Sequence, residues 1–217
     1  MTTTAPIDTS EMLTVHRVFR REFPMAARLI RAVRPGDVAR ARFVAGHLKD
    51  MRLGLHHHHT AEDELLWPLL LARVDLDADK VLLMEAQHHR VDELLSRSAD
   101  LLPRWETTAS PEVGEELAAL YDQLWPVLLE HLVAEETEVL PLVSEHISQA
   151  EWNRLGERFE GETPKDKLLL FLGALLEEAT PAETAVMLGK LPLPARLLWY
   201  AVGRRAYARR VRRLRTP

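Results

Sequence analysis

Cysteine is absent from the 217 residues, which rules out disulfide frameworks, thiolate metal sites and cysteine nucleophiles. Glycine is sparse, with 9 residues, and aromatics are only 6% of the chain. The low glycine count favours helices over sheet, and the basic C-terminal tail has too few aromatics for a base-stacking platform. No run of about 18 apolar residues is available to span a bilayer. The start, "MTTTAPIDTSEM", has neither the basic nor the apolar region of a secretory signal. A soluble, cytoplasmic protein is the expectation. Acid is missing from one end: Lys190 to Pro217 holds nine Lys or Arg and no Asp or Glu, so the rest of the chain carries 19 bases against 33 acids, −14 within an overall −5.

What is present is 47% hydrophobic, rich in Leu, Ala, Arg and Glu, and patterned for helices. A first stripe runs Met12, His16, Phe19, Phe23, Ala26, Ile30, Val33, interrupted by Pro24. "RPGD", Arg34 to Asp37, breaks it and offers Asp37 as a helix cap. The second stripe is Ala41, Val44, Leu48, Met51, Leu55, His58, Glu62, Leu65, Leu69. The third runs from about Lys80 to Leu102 through Val81, His88, Val91, Leu95 and Leu102. "SPEVG" then opens the fourth: Leu117, Tyr121, Leu124, Leu128, His131, Glu135, Glu138, Leu142. The second and fourth helices match at a constant offset of 73 residues, pairing His58 with His131, Glu62 with Glu135 and Pro68 with Pro141. Duplication of a helical hairpin is the simplest account, and it predicts an all-α, up-down-up-down four-helix bundle over residues 1–148.

Residues 149–217 read as a C-terminal helical extension with a basic tail. "TPKD" and "TPAE" each set a Thr cap before a proline, starting helices at about Pro164 to Glu178 and Pro181 to Leu188. A last amphipathic helix is expected from Ala195 to Leu214. The tail's simplest role is to lay its Leu, Val and Tyr face on the acidic bundle. A membrane surface or a protein partner is the other expectation, and no nucleic-acid motif is present.

The chemistry lies in polar residues set into oily stripes. A buried carboxylate without a partner costs several kcal/mol, and a buried imidazole needs its nitrogens satisfied. His58 and Glu62 stand at i and i+4, as do His131 and Glu135, so each pair projects from one helix face and can share a cation. His16 adds an imidazole from the first helix. On the third, the 73-residue offset and a shared "HRV" favour His89, whereas the stripe favours His88, which is preferred. Asp92, a turn further on, is a candidate extra ligand. Imidazole and carboxylate without thiolate suit iron, manganese or zinc. His56, His57 and His59 turn away from the core at about 100° per residue, with His57 or His59 kept as candidate additional ligands. Asp63 and Glu64 read as a solvated face, Tyr121 as core, Trp67 as a plug closing the bundle end, and His47 and His146 as surface.

The order H…HxxxE…H…HxxxE, with a proline six residues after each Glu, resembles the hemerythrin-like (HHE cation-binding) domain over about Glu11 to His146. "HHHHTAEDELLWPLL" and "MEAQHHRVDELL" look like its actinobacterial members, and "EHLVAEETEVLPLV" supplies the last helix. The resemblance implies that His16, His58, Glu62, His88, His131 and Glu135 hold two iron ions (Fe2+/Fe3+), bridged by the two Glu and an oxo or hydroxo group. It implies binding of O2, H2O2 or NO, with an unidentified reductant. Oxygen-carrying members place a further His where this chain has Asp92, a departure that points to catalase- or peroxidase-like turnover instead of reversible carriage. A sensing module without turnover, or a structural zinc or manganese bundle, are the alternatives.

Overall fold

The computed structural model describes residues 7–74 and 76–216, and among these there is no strand. Helix α1 spans Ser10–Arg31 and runs on through Pro24. Gly36 takes a left-handed φ of 76°, and the Asp37 carboxylate then accepts from the Arg40 N–H at 3.0 Å to start α2, Val38–Ala61. A π turn over Glu62–Leu66 follows, then α3, Trp67–Leu71. Helix α4, Ala78–Thr108, ends on left-handed Ala109, φ 48°. The Ser110 hydroxyl accepts from the Val113 N–H at 3.3 Å and starts α5, Pro111–Ala134. A second π turn, Glu135–Val139, leads into α6, Leu140–His146.

Helices α1, α2, α4 and α5 form a closed ring in which α1 packs on α2 and α5, and α4 on the same two. This is the expected four-helix arrangement, and every inward residue of the first stripe from Met12 to Ile30 is buried.

Both π turns fall at the duplicated position, and the sequence supplies a reason. Pro68 and Pro141 have no N–H, and in a regular helix their rings would press on the carbonyls of Glu64 and Thr137. Widening the preceding turn relieves that: the N–H of Trp67 reaches back to the Glu62 carbonyl and that of Leu140 to Glu135. The extra residue shifts the inward face by one position. Leu66 and Leu70 are therefore fully buried where the stripe predicts Leu65 and Leu69, and Val139 and Val143 where it predicts Glu138 and Leu142. Glu138 instead pairs with Lys80 on the surface at 3.3 Å. The displaced residues join Trp67, Met12, Val81 and Met84 in an apolar plug at this end.

The chain divides into two compact units, the first reaching Glu162 and the second starting at Thr163. The division follows an unanticipated helix α7, Gln149–Glu162, which packs on α2 and the first π turn. Its residues hold there through Arg158 to Glu64 at 2.7 Å and through Arg73 on Glu151 at 2.6 Å.

The second unit contains α8 (Lys165–Glu178), α9 (Pro181–Lys190), α10 (Leu193–Leu198), a π turn (Trp199–Gly203) and α11 (Arg204–Arg215). Thr180 caps α9 in a reciprocal capping box with Glu183, as read from "TPAE". "TPKD" behaves differently: Pro164 itself takes the N-cap place, and α8 begins at Lys165. The expected last helix is broken in two by its π turn. Gly173 is required where α8 meets the Tyr207 ring of α11, since a Cβ there would lie 2.5 Å from it. The Tyr207 hydroxyl donates to Glu177 at 2.5 Å, and Arg215 joins the same carboxylate at 2.6 Å.

Candidate metal centre

The four long helices each deliver an imidazole to one buried point. His16 from α1, His58 from α2, His88 from α4 and His131 from α5 are all buried, together with Glu62 and Glu135, which are both 0% exposed. Each Glu is the first residue of its π turn, one helical turn after its His. Donor atoms of His58, Glu62, His131 and Glu135 lie within 4.8 Å of one another. The imidazoles fall into two pairs, His16 with His58 at 5.2 Å between ring centroids and His88 with His131 at 4.6 Å. The carboxylates lie between the pairs. His58 Nδ1 and His88 Nε2 approach Glu62 at 3.3 and 3.5 Å, and His16 Nε2 and His131 Nε2 approach Glu135 at 3.2 and 3.6 Å.

His88 is 2% exposed and faces this point, whereas His89 lies on the outer side of α4. Asp92 is also exposed, lining a surface groove of about 300 Å³ with Asp63, Glu85, His88 and His89.

Two residues read as solvent-facing or left unread turn out to orient the ligands. Asp63 Oδ1 lies 2.7 Å from His88 Nδ1, and Glu136 Oε1 lies 2.8 Å from His16 Nδ1. In both cases the carboxylate accepts the outer N–H of the ring and turns the other nitrogen inward, as second partners of metal-bound histidines do. Positions 63 and 136 are again related by the 73-residue offset, and that recurrence of an acid directly after each core Glu was the available signal. Arg20 clamps Glu136 at 2.6 and 2.9 Å. Asp63 is more exposed.

Other histidines depart from expectation. His59 does not turn away: it is 2% exposed, stacked on His88 with 3.9 Å between centroids and edge-on to His131 at 5.1 Å. His57 is buried against Phe159 of α7, and His56 is exposed. His47, expected on the surface, is buried and pairs with Glu22 at 3.0 Å. Tyr121 is core, as read, and burial pushes its hydroxyl up to about 12.

Charge at the centre is unsettled without a cation. Burial, then the charge of Glu135, pushes Glu62 well above the ordinary carboxyl range. Glu135 is held low: burial opposes ionisation, but His16 overrides it. Burial works against a charged His16 too, and the Glu135 and Glu136 carboxylates win, raising it to about 9. His58 and His59 are held well below the usual imidazole range, and His131 at about 3, chiefly by burial. The neutral imidazoles of His58, His59 and His131, beside the Glu62 and Glu135 carboxyl groups, make a Lewis-basic pocket. Both oxygens of Glu62 and of Glu135, Nε2 of His16, His58 and His88, and both ring nitrogens of His131 have no hydrogen-bond partner. So many orphaned buried atoms in one place fit a metal site, since each costs about 1–3 kcal/mol unless something satisfies it.

A model of the hemerythrin HHE cation-binding domain matches residues 8–143, and the chain belongs to that family. The match encloses all six of these residues. Comparison with curated proteins and with solved structures returns no match.

Proposed function

We propose that this is a di-iron protein that binds or reduces O2, H2O2 or NO, with peroxide turnover as its enzymatic form. The observation that carries the reading is the pair of fully buried carboxylates between two imidazole pairs, with all four carboxylate oxygens and a ring nitrogen of each of the four histidines lacking a hydrogen-bond partner. Four imidazoles and two carboxylates, without thiolate, are compatible with iron, zinc or manganese, and the hemerythrin resemblance places iron first. His16, His58, Glu62, His88, His131 and Glu135 would hold the ions, and two ferrous ions would supply a pair of electrons to a small oxidant.

The chain's own part is positioning and exclusion. Glu136 and Asp63 fix the His16 and His88 rings. Leu55, Leu128 and Phe19 are buried and keep water out, while Leu66 does what the stripe assigned to Leu65. No helix among the described residues is long and apolar enough to cross a membrane. A second reading, an iron or oxygen sensor, draws support from the separate compact unit that begins at Thr163, which the centre does not need. On either reading the basic face of α11 would meet a protein or an anionic membrane surface.

The test is metal content and near-ultraviolet absorption after expression in iron-sufficient cells, followed by oxygen evolution on adding H2O2. About two irons per chain with ligand-to-metal bands and rapid evolution support the enzyme. Iron without turnover, with altered hydrogen exchange in α8 to α11, supports the sensor. A colourless protein with stoichiometric zinc defeats both.

A further inference from the structure

We infer that His59 is a fifth imidazole ligand of the centre; this rests on the metal reading above. Both His59 ring nitrogens are buried and without a hydrogen-bond partner. An imidazole has at least one N–H to donate and one lone pair to satisfy, so burying it with neither used is costly unless a Lewis acid takes the lone pair. A donor atom of His59 lies within 4.8 Å of donors on His58 and His131. Its ring is parallel to His88, at 14° between planes, and edge-on to His131 at 83°. Three rings thus converge on the α4–α5 side, while the α1–α2 side has His16 and His58 with Phe19 against them at 5.3 Å.

The duplicated sequence makes the assignment sharper. Adding 73 to His59 gives Leu132, which is fully buried. Every ligand position discussed so far has a mate in the other half, and His59 has an aliphatic one. A packing role would be served by leucine at both positions, as the second half demonstrates. The imidazole therefore makes the two ions unequal, three rings on one and two on the other.

The test uses His59→Leu in the full chain, copying Leu132. Zinc and anaerobic ferrous titrations should show two ions bound by the unchanged protein, and the variant should keep one at similar affinity while the other weakens roughly tenfold or more, since even outer partners of metal ligands are worth 10–100-fold. The metal-free variant should melt at or above the parent, because a buried orphan has been removed. Should the variant not fold, nitrogen-15 histidine spectra of the parent decide the matter: zinc loading must move a His59 nitrogen resonance. Two ions at unchanged affinity in the variant, or an unmoved resonance, overturns the assignment alone. A parent that binds no metal overturns it together with the di-iron reading.

Discussion

The two halves of the bundle are near copies, and their differences show what the copy has to keep. Caps Asp37 and Ser110, left-handed Gly36 and Ala109, both π turns, both prolines and both orienting acids recur at 73 residues. First and third helices are related at 72, through His16 and His88. At the same spacing Arg20, which clamps Glu136, is matched by Asp92, and Glu22 by Leu94. His47, the partner of Glu22, is matched by Leu120. Most of what recurs surrounds the centre or sets helix ends, and apart from His59, matched by Leu132, what drifts lies one helical turn or more away.

The largest effect expected is from breaking the shared core. Glu62→Ala or Glu135→Ala should lose both ions by elemental analysis. It should also abolish metal-linked stabilisation, which is about 4 kcal/mol at a thousandfold ligand excess over Kd. The metal-free Glu62→Ala variant should melt no lower than the metal-free parent, because burial and the Glu135 charge already push that carboxyl up. Metal-free Glu135→Ala should melt lower, since Glu135 pairs with His16 at 3.2 Å. If either variant retains full metal content, the bridging assignment fails.

Next come the orienting acids. Glu136→Gln should weaken metal binding about 10–100-fold, and Asp63→Asn less, because Asp63 is more exposed and has no arginine clamp. Asp92→Arg should narrow that gap by giving the second half the cation that the first already has. Equal losses for the two acids, measured by competition titration, would contradict the asymmetry.

The Glu22–His47 pair is the third contrast. Burial pushes the Glu22 carboxyl up, but His47 and Arg21 override it and hold it at about 2, from an ordinary 4.5. A carboxyl held low when folded adds stability above pH 4.5, and that contribution disappears as the pH falls towards 2. Glu22→Leu alone should destabilise by about 3 kcal/mol, leaving His47 buried and unpaired. Adding His47→Leu copies the second half and should restore most of it, with a flatter acid limb in the denaturation profile.

The smallest effect concerns the connections. Ala109 holds a left-handed φ of 48° with a Cβ, where its mate is Gly36. Ala109→Gly should stabilise by roughly 1 kcal/mol, and Gly36→Ala should cost a similar amount, both read from urea midpoints.

Much of the centre was legible because ionisable residues in an apolar stripe are conspicuous. His16, His58, Glu62, His131 and Glu135 are core-facing in the sequence and buried together in the structure, and the stripe distinguished inward His88 from exposed His89. His59 escaped that logic because α2 packs on both α1 and α4. Two adjacent residues about 100° apart can both be inward, His58 towards His16 and His59 towards His88. Asp63 is exposed as read, but its bond to His88 and the burial of His47 against Glu22 depend on partners from other helices, which periodicity along one helix cannot show. The one-residue slip at Leu65 and Leu69 has a different origin: a stripe assumes constant pitch, and Pro68 breaks that assumption.

That slip separates the two ends of the bundle in a practical way. Ligands before residue 62 or 135 and apolar residues after 66 or 139 obey different helical phases, joined by a single surplus residue. Deleting one residue from 63–66 would leave His58 and Glu62 where they are and swing Trp67 and Leu70 about 100° towards water. Metal capacity and closure of the bundle end are thus separately adjustable, with the surplus residue as the joint between them.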